Sequence, residues 1–538
     1  MNRMMHHTLA WVGVLLALTL PCAATNYHVN TNHASASDSN PGTPDLPLKT
    51  LQRGTELAHT GDTVFITGVY NESLFIDRGG SDGAPIVFAA APGAQAVIDG
   101  GTGDPGSNGI VSTHSWVHFE GLEIRNWSDN GMWFEGGAGI LIRDCEVHHV
   151  FYGIGMTDGC HDFVLERVVM HHFDLYGFDA SPGTGPCYNG TFIDCVSHTG
   201  RDPSQNVDGF ALGHGNQHGF HFLRCETYGV YDGFDISSRE TTLERCSAHD
   251  CLNGGYKLWQ DEILLVNCLS YHNEVTNVEL DWDGDAGSVT MWNCTFHDTE
   301  TFNIWVENSG DSLFMYNCIV SGGDRLGLAF EQQNTRNFFG DYNIYHNDDP
   351  DRMISVGYED QYTPAMFSAW QTATGQDAHS IALTTDAGLY VDAEGYDLHL
   401  SAASPARDAG LGADAPSTDF DGNPRPDGSA VDIGACEYQS STGMIPPAVV
   451  SAFTVQAYPN PAYEMVHLQI VAEQPLPASL TVYDITGRRL HQRDVLIDAG
   501  DTYLEWNGIT DAGVRARGLF IAALRTPAGT RQLWILMR

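Results

Sequence analysis

Short apolar strands separated by turns dominate the chain, and from about residue 116 to 345 they recur at a nearly regular interval. One position of the repeat holds Cys or another core-forming residue, at spacings of 21 to 30 residues: Leu122, Cys145, Val168, Cys195, Cys225, Cys246, Cys268, Cys294, Cys318 and Tyr342. Strands at this period, without helices between them, are typical of a parallel β-helix. We therefore predict an all-β protein, a right-handed parallel β-helix followed by a small C-terminal β-sandwich.

The cysteines of this position are interpreted as an internal ladder of thiols on one strand, because Cys packs as a small hydrophobic residue. A disulfide between Cys160 and Cys187, about one coil apart in turns, is left open. A second column follows three residues later: His148, His171, His198, Tyr228, His249, Tyr271 and His297. One ring per coil favours stacked side chains over metal ligands.

The flanks of the repeat differ from it in composition. Residues 25–47 are polar and rich in turn residues, and apolar positions 48, 51 and 57 predict a helix that covers the open end of the stack. The repeat is lost after about 345, and 421–436 is interpreted as a closing segment. The predicted organisation is a signal peptide at 1–24, a β-helix domain at 25–438, a linker at 439–452 and a β-sandwich at 453–538.

The charge of the chain excludes one class of partner. Its formal net charge is −43, so a basic surface for nucleic acid is excluded.

The N-terminal segment predicts export. Arg3, the apolar run 9–20 and Ala23-Ala24 are typical of a secretory signal, and Pro21 argues against lipid attachment at Cys22. The apolar run is too short for a membrane span. We expect a monomeric protein that is secreted or displayed on a bacterial cell surface.

Candidate chemistry appears when the second strand of each coil is aligned on its Gly or Asn. Asp208, Asp232 and Asp235 then fall on two adjacent coils. Three carboxylates so close repel one another unless a cation lies among them, and Ca²⁺ prefers clustered carboxylate oxygens. A solvated acidic patch is the alternative. A bend at Gly233 is needed to turn Asp232 outward beside Asp235.

Lys257 falls in the same outward column, one coil after Asp235. The chain contains two lysines, Lys49 and Lys257, and uses Arg at every other cationic position apart from His. Arg can form an ion pair, but it cannot act as a proton acceptor, because its side chain stays charged. Lys257 is therefore the candidate base. Further residues of the column are candidate substrate contacts: Trp133, Asp179, Glu279 and Trp305.

The segments Asp208-Gly209-Phe210-Ala211, Asp232-Gly233-Phe234-Asp235 and Gly255-Tyr256-Lys257-Leu258 resemble polysaccharide lyase family 9, the β-helix pectate lyases. The resemblance implies that Asp208, Asp232 and Asp235 bind Ca²⁺ and that Lys257 is the Brønsted base. Tyr231 stands where that family usually has a further Asp, which predicts one carboxylate fewer.

The C-terminal region carries a second resemblance. Tyr458-Pro459-Asn460-Pro461, 482–488 and Gly518-Leu519-Phe520 resemble type IX secretion sorting domains and the related FlgD-like immunoglobulin domains. This resemblance implies that secretion machinery is a partner of the C-terminal domain.

The expected function is cleavage of a uronic-acid polymer, most simply pectate or polygalacturonate, by calcium-assisted β-elimination. Two alternatives stay open. One is a glycoside hydrolase with paired carboxylates, and Gly213-His214-Gly215 resembles a polygalacturonase motif, although it precedes Asp232. The other is a non-catalytic glycan-binding adhesin.

Overall fold

The computed structural model of the chain describes most of the residues. The described ranges are 24–101, 107–214, 216–280, 287–307, 310, 312–323, 325–333, 335–439, 453–458, 465–472, 476–484, 489–497, 500–510, 515–516, 518–526 and 529–537. The predicted signal segment before Ala24 and the predicted linker from 440 onward lie outside these ranges. No helix within them has the length and apolarity needed to cross a membrane.

The chain divides into two compact units, residues 1–174 with 179–190 and residues 175–178 with 191–538. The first unit contains a helix at Leu51–Leu57 and parallel strands. Its strands are Asn26–Asn30, Thr63–Tyr70, Leu74–Phe75, Ile86–Ala90, Ala96–Asp99, Ile110–Ser112, Val117–Glu120, Glu123–Arg125, Asn130–Glu135, Leu141–Arg143, Glu146–Thr157, His161–Glu166, most of Val169–Ala180 and the start of Tyr188–Ile193.

The second unit also contains parallel coils. Its coil strands are Val196–His198, Asp208–Leu212, His221–Leu223, Glu226–Tyr228, Phe234–Ile236, Thr241–Glu244, Ser247–His249, Gly254–Leu258, Ile263–Val266, Leu269–Asn273, Thr276–Leu280, Ser288–Trp292, Thr295–Thr299, Phe302–Val306, Ser312–Tyr316, Ile319–Ser321, Leu326–Phe330, Phe338–Asp341, Ile344–Tyr345, Ile354–Val356 and Ile381–Ala382. The other described elements before the C-terminal region are strands Asp360–Tyr362, Tyr390–Asp392 and Asp397–Leu400, helix Phe367–Thr374 and 3₁₀ turns Pro350–Arg352 and Pro364–Met366.

The right-handed parallel β-helix predicted from the repeat is confirmed, and so are small sheets at the C-terminus. One antiparallel sheet contains Phe453–Tyr458, Val466–Ala472 and Gly500–Trp506. The other contains Leu476–Asp484, Arg489–Ile497, Gly518–Thr526 and Gly529–Met537. A core that includes Val466, Leu480, Trp506 and Phe520 draws residues from both sheets, as in a sandwich.

The N-terminal cap contains more structure than its composition predicts. The helix begins after Thr50, whose hydroxyl accepts a hydrogen bond from the Arg53 amide, as the prediction of a helix near 48–59 requires. The interpretation of residues 25–47 as turns was wrong for the first of them, because Asn26–Asn30 is a strand parallel to Thr63–Tyr70. Val29, fully buried, gives this short strand its inner face.

The cysteine ladder forms, but in the corners of the coil and not within a strand. Each cysteine follows a residue with a left-handed backbone, such as Arg224 before Cys225, and directly precedes the next strand. The thiols donate to carbonyl oxygens two residues earlier, as Cys246 does to Glu244 at 3.5 Å. All eleven cysteines of the described chain are buried and free, including Cys160 and Cys187, so the disulfide left open is absent there.

The rings of the second column stack as predicted. His198 and Tyr228 have ring centroids 4.8 Å apart, and Tyr228 and His249 lie at 5.1 Å, with planes within about 13° of parallel. Parallel strands place equivalent side chains of successive coils one above the other. The stack in each unit therefore follows from the repeat itself.

The repeat extends one coil further than predicted, because Ile354–Val356 pairs in parallel with Leu326–Phe330. Residues 411–437, which include the predicted closing segment 421–436, lie along the corners of four successive coils. Side chains of these coils donate to carbonyl oxygens of residues 411–437 at 2.6 to 3.0 Å: Arg245 to Phe420, Asn267 to Thr418, Asn293 to Asp432 and Asn317 to Leu411.

Candidate metal and catalytic site

Two adjacent strand pairings set the central column of the site. Phe210, Phe234 and Tyr256 are register partners, with ring centroids 5.1 Å apart at each step inside the coil. Because side chains alternate along a strand, the next residues face outward. Asp235 therefore pairs with Lys257 on the outer face, as the alignment of the repeat predicted.

Asp208 and Asp232 approach this column from the beginnings of their strands. Asp208 is the first residue of Asp208–Leu212, and Asp232 lies two residues before Phe234–Ile236, outside the strict alternation. Both are fully buried. The Asp232 amide donates to Asp208 Oδ1 at 3.3 Å, which ties the two aspartates of adjacent coils together.

The structure brings the three predicted carboxylates into one group. One oxygen each of Asp208, Asp232 and Asp235 lies within 4.8 Å of the others. Asp232 Oδ2 and Asp235 Oδ1 are buried, and neither accepts a hydrogen bond from the described residues. Burial and the two neighbouring carboxylates raise the pKa of Asp208 to about 9, and burial and Asp232 raise that of Asp235 to about 7. The group therefore lacks compensating positive charge.

Lys257 supplies part of that charge. Its Nζ lies 3.5 Å from Asp232 Oδ2, an ion-pair contact, and 4.8 Å from the centre of the Trp259 ring. Burial lowers the pKa of Lys257, but Asp232, Asp235, Glu279 and Asp208 together outweigh it and raise the pKa. One ammonium thus faces an excess of carboxylates.

Several residues that hold the site were missed in the sequence. Asn253 Nδ2 and the Gly254 amide donate to Asp232 Oδ1 at 2.8 and 2.9 Å, and Asn206 Nδ2 donates to Asp208 Oδ2 at 3.1 Å. A Cβ on Gly254 would lie 3.1 Å from Asp232 Oδ1, so a larger residue would crowd the carboxylate. The sequence offered one signal for this role: the next coil has Gly254 at the position that Asp208 and Asp232 occupy in their own coils.

Of the predicted substrate contacts, Glu279 and Trp305 continue the column of Lys257. Lys257 pairs with Glu279, and Glu279 pairs with Trp305 in parallel register. Glu279 is buried, and the half-buried Trp305 ring stacks on Phe302 at 4.9 Å. These two residues therefore lie on the face that carries Lys257.

Trp133 and Asp179 belong to the first unit. Trp133 covers Gly155, where a Cβ would lie 2.2 Å from the indole, and its Nε1 donates to Glu135 at 3.1 Å. Asp179 is buried and accepts a hydrogen bond from the Ser181 hydroxyl, and burial raises its pKa to about 6.

The donor set of the carboxylate group suits a hard cation. Three carboxylates converge, two of their buried oxygens accept no hydrogen bond from the described residues, and the group contains neither sulfur nor imidazole. Ca²⁺ takes carboxylate oxygens in flexible geometry, whereas softer metals favour nitrogen and sulfur. Asp208, Asp232 and Asp235 therefore fit Ca²⁺ better than a transition metal.

The fold and this site define a parallel β-helix protein with a group of three converging carboxylates and a lysine on one face. Residues 27–286, just under half of the chain, match the family described as Pel9A-like, right handed beta helix region. Pectate lyase PEL9 of Emericella nidulans is 26% identical over 237 residues, which are 42% of this chain and 52% of that protein. The chain thus spans about half the length of this relative.

Two further similarities concern longer stretches. The uncharacterized protein YwoF of Bacillus subtilis is 23% identical over 448 residues, 69% of this chain and 91% of that protein. The crystal structure of pectate lyase Pel9A has 17% sequence identity and a TM-score of 0.48, and the match covers 77% of this chain and 96% of that one.

Proposed function

We propose that the protein is a secreted polysaccharide lyase that cleaves a uronic-acid polymer by β-elimination. Pectate or polygalacturonate is the proposed substrate, Asp208, Asp232 and Asp235 hold Ca²⁺, and Lys257 is the base. The observation that carries the proposal is the convergence of three buried carboxylates beside the Nζ of Lys257, 3.5 Å from Asp232. The similarity of residues 27–286 to Pel9A-like β-helices and to a pectate lyase supports it.

The three aspartates contribute negative charge at the point where an anionic polymer must bind. Asp208, Asp232 and Asp235 would hold Ca²⁺, and the ion would supply positive charge that offsets the substrate carboxylate and the enolate-like charge that develops beside C5. Asn253 and Gly254 hold Asp232 Oδ1, which leaves Oδ2 directed at the lysine and available as a ligand. This arrangement accounts for anionic substrate binding by a chain of net charge −43.

Lys257 performs the proton transfer. Burial lowers the pKa of Lys257, and the surrounding carboxylates raise it. When a cation compensates the charge of those carboxylates, the effect of burial remains and favours the neutral amine. Nζ then takes the proton from C5 of the uronic acid, and the C–H electron pair forms the C4=C5 double bond. The C4–O bond breaks, and the leaving oxygen takes a proton from water.

Further substrate contacts are proposed along the column that carries the base. Trp305, half-buried and stacked on Phe302, offers an aromatic face to a sugar ring, and Glu279 lies between it and Lys257. Trp133 and Asp179, which belong to the first unit, are also proposed as substrate contacts. The C-terminal sheets are proposed to act as the sorting domain that secretion machinery recognises, which places the protein outside the cell or on its surface.

The test is incubation of the purified chain with polygalacturonate and with alginate, in Ca²⁺ and in chelator. We expect unsaturated products, detected by ultraviolet absorbance, that require Ca²⁺ and disappear in Lys257→Ala. Lys49→Ala is the matched control, because Lys49 is exposed on the N-terminal cap and is the other lysine of the chain. New reducing ends without ultraviolet absorbance would indicate a hydrolase, and glycan binding without cleavage would indicate an adhesin.

A further inference from the structure

Four histidines form a compact cluster on the first unit, at left-handed bends within the strands Glu146–Thr157 and Val169–Ala180. His148 and His149 come from one coil, and His171 and His172 from the next. The rings stack coil on coil: centroids are 4.7 Å apart for His148 and His171, and 4.8 Å apart for His149 and His172. The rings of each pair are within 5° of parallel.

Within each coil the two imidazoles face one another through the same atom. The Nδ1 atoms of His148 and His149 are 2.7 Å apart, and those of His171 and His172 are also 2.7 Å apart. Two nitrogens bound at about 2.0 Å and at a right angle to one ion lie about 2.8 Å apart. Each facing pair therefore has the spacing of one edge of square-planar or octahedral coordination.

Glutamates from the preceding coil orient the inner rings. His171 Nε2 lies 2.9 Å from Glu146 Oε1, and His148 Nε2 lies 3.4 Å from Glu123 Oε1, which Arg125 also contacts. A carboxylate accepts a hydrogen bond from Nε2–H, so Nδ1 of a neutral ring is the nitrogen that carries the lone pair. This carboxylate–imidazole arrangement is the one that fixes metal-binding histidines in proteins.

The second unit offers a comparison at His249-Asp250, where an Asp follows the His of the stacked column in place of a second His. His249 Nδ1 lies 2.6 Å from Asp250 Oδ2, and its Nε2 lies 3.2 Å from Glu226. Burial lowers the pKa of His249, but the two carboxylates raise it overall, which favours an imidazolium with both nitrogens protonated. In the first unit an imidazole takes the place of that Asp.

We propose that the cluster of His148, His149, His171 and His172 binds a divalent transition-metal ion with right-angle coordination, of the Cu²⁺ or Ni²⁺ kind. The facing Nδ1 atoms are the ligands, and Glu123 and Glu146 are positioning residues. The outer histidine of a pair must move its proton from Nδ1 to Nε2, which changes its tautomer without changing its charge. One ion per chain is expected, because coils about 4.8 Å apart bring two divalent ions into strong repulsion.

The cluster is accessible to an ion from solvent. The side chains of His148 and His171 are 13% and 15% exposed, and Glu146 is 52% exposed. Imidazole donors suit transition metals, whereas the carboxylate group near Lys257 suits Ca²⁺. The two sites therefore differ in ligand chemistry and can be filled separately.

The test is calorimetric titration of the full chain, produced without a polyhistidine tag, with Ni²⁺ in excess Ca²⁺. We expect one site in the wild type and at least about tenfold weaker binding in His149→Asn/His172→Asn, with a similar loss in Glu146→Gln. His272→Asn is the matched control and should bind as the wild type does. His272 has the same left-handed backbone, which Asn tolerates, but lies in the second unit.

Absence of Ni²⁺ binding by the wild type, or equal binding by the double variant, would overturn the proposal and leave a hydrogen-bonded imidazole stack. A spectroscopic readout is independent of affinity. With one equivalent of Cu²⁺, the electron paramagnetic resonance spectrum should show nitrogen splitting that the double variant loses. A spectrum of oxygen ligation in the wild type would contradict the assignment.

Discussion

Lys257 Nζ lies 3.5 Å from Asp232 Oδ2, and this contact joins the lysine to a carboxylate that has no exposed surface. Asp208 and Asp235 complete the group around it. A single ammonium therefore faces three carboxylates in a site that burial makes unfavourable for uncompensated charge. This imbalance is the physical reason for expecting a bound cation.

The first prediction concerns the stability that Ca²⁺ adds. A ligand that binds the folded chain alone stabilises it by about 2.7 kcal/mol at a concentration one hundred times its Kd. We expect the melting temperature of the wild type to rise with Ca²⁺ and that of Asp235→Asn to rise much less. Without Ca²⁺ the variant should be at least as stable, because it removes one repelling carboxylate. Asp82→Asn, at an exposed turn, is the control, and an equal Ca²⁺ response in Asp235→Asn would count against the site.

The second prediction concerns Asn253, which donates to Asp232 Oδ1 at 2.8 Å. Loss of a partner that orients a ligand weakens metal binding about 10- to 100-fold. Asn253→Ala should therefore raise the Ca²⁺ concentration needed for half-maximal product formation by about that factor. The rate at saturating Ca²⁺ should fall less. A lower saturating rate with an unchanged Ca²⁺ requirement would show that Asn253 acts in another way.

The repeat explains how much of this site the sequence could predict. Parallel coils place equivalent positions in register, so the pairing of Asp235 with Lys257 and of Lys257 with Glu279 followed from the alignment of Gly and Asn. The position of Asp232 did not follow, because it precedes its strand and depends on a local bend. The orienting role of Asn253 depends on side-chain rotation, which a repeat does not specify.

The same distinction holds for the fold. Periodicity predicted the parallel β-helix, but it assigned the cysteines to a strand when they lie in corners. A residue with a left-handed backbone, such as Arg224 or Asn267, turns the chain before each cysteine. The sequence does not reveal this conformation when the residue is not Gly. The path of residues 411–437 along those corners depends on hydrogen bonds between residues more than ninety positions apart, for example Asn317 with Leu411.

The third prediction tests that path through a buried ion pair. Arg425 Nη1 lies 2.9 Å from Glu437 Oε2, with both side chains almost completely buried, and Arg425 also donates to the carbonyl oxygens of Gly434 and Ala435. Breaking such a pair on one side costs about 3–5 kcal/mol. Urea denaturation should show this loss for Arg425→Met. Arg425→Met/Glu437→Leu should recover part of it, whereas a double variant no more stable than the single one would argue against charge burial as the cause.

The fourth prediction concerns pH. Hydrogen bonds to Asp421 and Asp397 raise the pKa of His399 to about 9, although burial lowers it. The folded pKa therefore exceeds the unfolded value near 6.5, so the stabilisation is complete below that value and is lost as pH rises through about 9. The melting temperature of the wild type should exceed that of His399→Gln at pH 6, and the difference should shrink toward pH 10. A difference independent of pH would contradict the ionic contribution.

The proton-transfer role of Lys257 is tested most directly by Lys257→Arg, assayed on polygalacturonate with saturating Ca²⁺. Arg keeps the positive charge beside Asp232 but cannot act as a base at neutral pH. The account predicts unsaturated product from the wild type and a rate lower by at least about 10²-fold in the variant, with Ca²⁺-induced stabilisation retained. Formation of the unsaturated product by Lys257→Arg at the wild-type rate would contradict it.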